Sequence, residues 1–238
     1  MSVDCPECGE SFDLIGQHWV FNEDHRPSLT QQQREIVTGL LMGDGSLDRG
    51  NKNPRLYVCM ISPSYLKHLD KQFGILGTGV SLKMAAAESA KEKIERGFSQ
   101  SVDPENYSDV YHWNTRCHPE LHEFNWYGSG EKVWPNDITL TPTVLKHWFC
   151  GDGNWNNSGS NNHIRIGMSN EAENTDKVDS YFERADLPLP SNYDIYKYDD
   201  GRVDCNAEFT VDASTELWDY MGEPLPDFEY KWPKDFSR

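Results

Sequence analysis

Two tripeptides carry the first chemical signal in this chain. Gly43-Asp44-Gly45 and Gly151-Asp152-Gly153 each close an apolar run, Leu40-Leu41-Met42 in one and Trp148-Phe149-Cys150 in the other. The glycine before each Asp lets two helix ends approach closely. The one after it is expected to take the positive φ of a helix stop. An Asp there meets the negative end of the helix dipole, a penalty that a nearby cation removes. Two such helices side by side would bring Asp44 and Asp152 together. With the carbonyls of Gly43 and Gly151 they would form a hard oxygen site suited to Mg²⁺ or Mn²⁺. That arrangement serves metal-assisted phosphodiester hydrolysis, in which the metal steadies attacking and leaving oxygens. One Gly-Asp-Gly alone would be an ordinary turn. Two copies, each ending an apolar helix and separated by nearly half the chain, are a pattern.

A second cluster stands at the N-terminus. Cys5 and Cys8 form C-x-x-C, and His18 and His25 follow. Two thiolates and two imidazoles can hold a tetrahedral Zn²⁺, and four protein ligands leave no open position for catalysis. The Cys–His and His–His gaps depart from zinc-finger spacing, with His25 the poorest fit. The competing reading is a pair of free cysteines acting as small apolar residues. The remaining cysteines, Cys59, Cys117, Cys150 and Cys205, are scattered, and residues 1–12 lack the basic and apolar regions of an export signal. A reduced cytoplasmic setting is expected.

The elements that must position these residues can be read from periodicity. Ile36, Val37, Leu40 and Leu41 predict a helix over 30–42 with Thr30 as its cap. A strand is expected over 55–61, a helix over 64–76, a strand after Gly79, and a polar helix-plus-loop insertion over 85–106. A strand over 111–116 and a helix over 118–128 follow. Thr141 and Pro142 open the second motif helix. Beyond it come a strand at 164–168, a helix at 174–185, strands around 193–198 and 203–211, and a helix at 214–221. The order helix–strand–helix–strand–strand–helix thus occurs twice, an internal repeat. Lys132-Val133-Trp134-Pro135 closes the first copy and Lys231-Trp232-Pro233 the second. The stretch from Asp44 to Lys132 is somewhat longer than that from Asp152 to Lys231, and the insertion at 85–106 accounts for the difference.

Composition bounds the rest. The chain has 238 residues, 22 basic and 39 acidic side chains, a net charge of −17 and eight Trp. That much apolar and aromatic content needs burial and excludes a disordered acidic tail. No run of about 18 apolar residues suggests a membrane span. The charge is uneven, −2 over residues 1–100 and −15 over 101–238. Such acidity argues against nucleic acid at ordinary salt. In molar salt, screening shrinks to about 3 Å and the objection fades. A high-salt prokaryote or its virus is the expected setting.

From Val37 to Gly45 and from Leu145 to Gly153 the chain resembles the nine-residue motif of single-chain LAGLIDADG homing endonucleases. The resemblance spans about residues 29–236, including the two Lys/Trp-Pro elements. In the second copy Lys146, His147 and Trp148 replace small and apolar residues. The resemblance implies an α+β protein with two pseudo-symmetric αββαββα half-domains, at 28–138 and 139–238, after a Cys/His head at 1–27. Each half would lay a curved antiparallel sheet into the DNA major groove. The contacting strands would be those near 55–61, 111–116, 164–168 and 193–211. It further implies that Asp44 and Asp152 bind the catalytic divalent metal, with one assisting lysine per site, Lys132 and Lys231. The family's polar water-positioning residue has no match here; the strand expected over 55–61 offers only Cys59, which departs from that pattern.

The implied activity is a site-specific double-strand break in DNA by a monomer, with Zn²⁺ as a structural cofactor of the head. The alternatives are an RNA maturase that aids intron splicing and a non-catalytic DNA-binding regulator. Both intact aspartates and both lysines favour cleavage.

Overall fold

The computed structural model describes residues 2–95, 104–128, 131–156 and 163–233. The chain forms two compact units. One comprises residues 1–34 and 47–123, the other residues 35–46 and 124–238. The division falls within the first long helix.

The first unit begins with a hairpin, β1 (Val3–Asp4) and β2 (Ser11–Phe12), followed by a short helix, α1 (Ile15–Phe21). Ile15 and Trp19 of α1 are fully buried. The helix α2 (Gln31–Met42) opens here with a reciprocal cap. The Gln33 N–H donates to Thr30 Oγ1 at 3.2 Å, and the Thr30 N–H donates to Gln33 Oε1 at 2.9 Å. This is a capping box with Gln in the third position. After α2 come β3 (Ser46–Asp48), β4 (Arg55–Met60), α3 (Pro63–Phe73), β5 (Gly77–Met84), α4 (Ala86–Glu95) and β6 (Val110–Thr115). The four strands form one sheet in the order β3-β4-β6-β5, with β6 antiparallel to both β4 and β5. Leu56, Val58 and Trp113 are buried, as are Leu66, Leu69 and Phe73 of α3. Asp70 ties the helix to the sheet by accepting from the Trp113 indole at 2.8 Å and the Gly79 N–H at 2.9 Å.

The second unit contains the C-terminal end of α2, a small hairpin of β7 (Tyr127–Gly128) and β8 (Glu131–Lys132), and helix α5 (Pro142–Asp152). Then follow β9 (Gly153–Asn156), β10 (His163–Gly167), α6 (Thr175–Arg184), β11 (Asn192–Lys197), β12 (Val203–Glu208) and α7 (Val211–Met221). Its sheet order is β11-β12-β10-β9, all antiparallel. Read from the first strand, both sheets run first–second–fourth–third. The repeat seen in the sequence is therefore a repeat of topology. α5 buries Val144, Leu145, His147, Trp148, Phe149 and Cys150, so it is a core helix nearly all round. Thr141 caps it, and Pro142 fills its first turn.

Two expectations are corrected. The helix expected over 118–128 is a 3-10 turn, Pro119–Phe124, followed by a strand. His118 Nδ1 takes the Glu120 N–H at 3.2 Å, and the chain then turns to pair Tyr127 with Lys132. Nor are the glycines after the motif aspartates left-handed. Gly153 is extended, with φ −83° and ψ 152°, and Gly45 also lacks a positive φ. Space explains them instead. A Cβ on Gly153 would overlap the Phe149 ring, and one on Gly45 would lie 2.7 Å from the Leu40 carbonyl oxygen. Of the polar insertion, 86–95 is helix and 96–103 lies outside the described residues.

Candidate functional site

Glycine sets the spacing of the two motif helices inside the second unit. A Cβ on Gly39 would overlap the Val144 carbonyl oxygen and lie 2.7 Å from His147 Cβ. Further along the crossing, a Cβ on Gly151 would come 3.0 Å from the Asp44 nitrogen and 3.3 Å from Gly43 Cα. Contact this close between α2 and α5 needs residues without side chains at the crossing. Gly43 and Gly151 therefore touch, and the aspartates that follow them are neighbours. Both keep solvent-exposed faces.

Each helix end is capped by a lysine, and neither lysine is a free surface residue. Lys132 Nζ donates to the carbonyls of Gly43 at 3.1 Å and Gly45 at 3.0 Å. Lys231, only 7% exposed, donates to the carbonyls of Phe149, Cys150 and Gly151 at 3.3, 2.7 and 3.4 Å. Helix C-termini leave such carbonyls unsatisfied, and a cation there also suits the dipole. Lys132 comes from β8, Lys231 from a 3-10 turn over Glu229–Lys231. Trp134, just beyond Lys132, is buried edge-on against Trp148 of α5, with ring centres 5.2 Å apart. Its backbone N–H donates at 2.6 Å to the fully buried Glu171, whose charge Lys177 balances.

Asp152, Lys132 and Lys231 are each shifted by their surroundings. Surrounding protein pushes the Asp152 carboxyl up, the Asp44 charge adds to that, and Lys132 and Lys231 oppose it. The result is about 6. Burial lowers the Lys132 ammonium against the opposing pull of Asp152 and Asp44. Burial also lowers Lys231, opposed by Cys150, Asp44 and Asp152. Two adjacent carboxylates of which one is reluctant to ionise are a site short of positive charge. The donor set, accessible carboxylate oxygens with carbonyls beside them, fits a hard divalent cation.

The open faces of the two sheets differ. In the first unit Arg55, Tyr57 and Cys59 share a face with His112, Asn114 and Ser81, as their register shows. Lys83 lies over the Tyr57 ring at 5.4 Å, and Arg55 pairs with Asp48. In the second unit Arg165 is held between Asp194 and Glu208, with Asp204 further along β12. Cys59 thus lies on an open sheet face. A cleft of about 550 Å³ also opens in the first unit, lined by α1 on one side and by Arg55, Asn114 and Arg116 on the other. It contains neither Asp44 nor Asp152 and neither Lys132 nor Lys231, which all belong to the second unit.

Cys5, Cys8, His18 and His25 are also brought together. One ligand atom from each lies within 4.8 Å of the others. Burial pushes the Cys5 thiol up, but the N–H groups of Cys8 and Glu7 point at it and bring it down to about 6. Sequence reasoning missed Glu171, the buried acid that holds Trp134 in place. Its signal was weak, because an isolated Glu in a polar segment looks solvated.

Each unit carries a four-stranded antiparallel sheet of the same strand order, and the two Gly-Asp-Gly helix ends pack closely inside the second. The chain belongs to the LAGLIDADG DNA endonuclease family, whose model matches residues 34–184. It is similar in fold to the homing endonuclease I-WcaI, solved bound to its DNA recognition sequence. The TM-score is 0.70 at 15% identity, covering 95% of each chain. It is also 28% identical over 134 residues to the cytochrome b mRNA maturase bI2 of Debaryomyces hansenii. That match takes in 52% of this chain and 47% of the relative, so the chain covers about half the length of the maturase. No helix among the described residues is long and apolar enough to cross a membrane.

Proposed function

We propose that this chain is a site-specific DNA endonuclease that hydrolyses one phosphodiester bond in each strand. The observation that carries the reading is the contact of Gly43 with Gly151, which makes Asp44 and Asp152 neighbours, with a lysine at each helix end. Asp44 and Asp152, with the Gly43 and Gly151 carbonyls beside them, would hold Mg²⁺ or Mn²⁺. When bound, that ion supplies Lewis-acid stabilisation of phosphate oxygens and a more acidic water. The residues of the chain do the rest. The aspartates give the site its negative charge and fix its place on rigid helix ends. Lys132 and Lys231 neutralise the carbonyl ends and stand ready to steady charge building on the phosphate. Their lowered pKa eases proton exchange with a nearby water.

The open sheet faces supply the DNA contacts, on the strands near 55–61, 111–116, 164–168 and 193–211. With only a few cations there, affinity would lean on shape and base contacts, and −17 of net charge is best tolerated at high salt. The chain would act as a monomer. A second reading, an RNA maturase, is favoured by the Debaryomyces relative. Cleavage of a randomised plasmid library in molar KCl with Mg²⁺ separates them. The endonuclease reading expects discrete cuts at one long site. Absence of cutting together with saturable binding of a structured intron RNA would establish the maturase instead.

A further inference from the structure

The cluster at the N-terminus takes no part in the reaction proposed above, and its geometry has its own meaning. Cys5 Sγ lies 3.8 Å from His25 Nδ1, and Cys8 Sγ lies 3.7 Å from His18 Nε2. His18 Nε2 and His25 Nδ1 are 3.0 Å apart. For Zn–S near 2.3 Å and Zn–N near 2.0–2.1 Å, a regular tetrahedron has S–N edges of about 3.6 Å and an N–N edge of about 3.3 Å. These three edges lie within about 0.3 Å of that figure, and all four donor atoms lie within 4.8 Å of one another. We propose that Cys5, Cys8, His18 and His25 hold one structural Zn²⁺ with no open coordination position.

Local structure explains how the segment from Cys5 to His25 closes on one point. Cys5 and Cys8 sit at the tip of the β1–β2 hairpin, where the Gly9 N–H donates to the Cys5 carbonyl at 2.9 Å. Gly9 has φ +72°, which lets the chain turn back into β2. His18 projects from α1, its ring stacked on Phe12 with centres 4.0 Å apart. His25 ends the 3-10 turn Glu23–His25 that follows α1. The Asn22 amide lies 3.2 Å from His18 Nδ1. The same amide nitrogen donates to the His18 carbonyl at 3.1 Å, which ties the loop after α1 to the histidine. Two thiolates and two imidazoles select a borderline-soft ion with tetrahedral preference.

The zinc has structural work to do. α1 is seven residues long, far below the length at which a helix is stable alone. Its core anchors are two, Ile15 and Trp19. A metal that ties His18 to Cys5, Cys8 and His25 fixes the helix to the hairpin. It thereby fixes the α1 wall of the cleft in the first unit.

The test is metal content and spectroscopy on the full chain, independent of any cleavage. Protein purified without chelators from zinc-supplemented cells is expected to carry one equivalent of zinc by mass spectrometry. Replacement by Co²⁺ is expected to give thiolate-to-cobalt charge-transfer bands and the intense visible bands of a tetrahedral site. Cys8→Ser and His25→Gln should each cut zinc content at least tenfold, while Asp44→Asn keeps the full equivalent. Zinc near zero in the wild type, or cobalt spectra lacking thiolate bands, would overturn the proposal without recourse to variants that might not fold. Undiminished zinc in His25→Gln would overturn the four-ligand assignment. Because Asp44→Asn removes cleavage and not zinc, failure of one reading is distinguishable from failure of the other.

Discussion

Among the described residues two clusters of ligand-type side chains stand out, and they are built in opposite ways. The Cys/His cluster is local, with all four donors between Cys5 and His25 on a hairpin, a short helix and a 3-10 turn. The Asp pair is assembled from positions nearly half the chain apart, on helices whose glycines permit backbone contact. One offers sulfur and nitrogen, the other oxygen. Soft, closed coordination suits a structural ion, and exposed carboxylates beside helix-end carbonyls suit one that must meet a substrate. Placement follows role. In the proposed roles the local cluster would secure a part of the chain with little core of its own, whereas the Asp pair stands at the ends of two helices, α2 and α5, that bury much of their surface.

Breaking the Asp cluster at its foundation should have the largest structural effect. In Gly39→Ala the added Cβ would collide with the Val144 carbonyl and His147. The backbone on both sides cannot yield easily, so a loss of about 1–3 kcal/mol is expected, as for other overpacked cores. Thermal unfolding would show it as a lower melting temperature, with zinc content unchanged. A melting point equal to the wild type would mean that the helices are not held this close.

Next in size are the lysines. Lys132→Met and Lys231→Met should each slow single-turnover cleavage by about 10–100-fold, the range for residues that support a metal site from outside it. Each should also move the pH–rate profile. The lost ammonium leaves helix-end carbonyls unsatisfied as well, so Lys231→Met should melt earlier.

pH sharpens the contrast between the clusters. The folded Asp152 carboxyl is raised from 3.8 to about 6, so the folded state binds more protons than the unfolded chain between those values. The contribution of Asp152 to stability is therefore present below about pH 4 and lost as pH rises through 6. Metal-free Asp152→Asn should melt at a higher temperature than wild type at pH 7.5, and the gap should close at pH 4. Mg²⁺ binding should weaken as pH falls below 6, because the ion must displace a proton. Calorimetric titration across pH 5–8 would check this, and constant affinity over that span would contradict it.

The smallest effect expected is that of salt on the fold. With a charge of −17, molar KCl should hold or raise the melting temperature by screening self-repulsion. A fall in melting temperature would contradict the high-salt setting.

Much of this was legible in the sequence, for reasons that can be stated residue by residue. The motif helices were plain because Ile36, Val37, Leu40 and Leu41 repeat at helical spacing and because Thr141-Pro142 opens the second. The repeated helix–strand–helix–strand–strand–helix order was legible from strands and turn residues, but the short first strand of each sheet, β3 and β9, was not, and the strand order depends on pairings that periodicity does not show. The Cys/His quartet was visible despite irregular spacing because its members are near in sequence. The 3-10 turn at Pro119–Phe124 was not legible, since its competing bond from Glu120 N–H to His118 depends on folded geometry. Gly45 and Gly153 suggested left-handed turns, yet they serve contact with Leu40 and Phe149, which only packing reveals. The charge asymmetry of the two sheet faces was hidden as well, because it depends on register.

The most direct test of the central claim is strand-resolved cleavage of an identified target by wild type, Asp44→Asn and Asp152→Asn, with Mg²⁺ in high KCl. The account predicts double-strand cutting by the wild type. It predicts that each variant loses cutting of at least one strand, by more than the roughly 10–100-fold typical of outer-shell changes, with zinc content intact. Double-strand cutting at wild-type rate by either variant would contradict it.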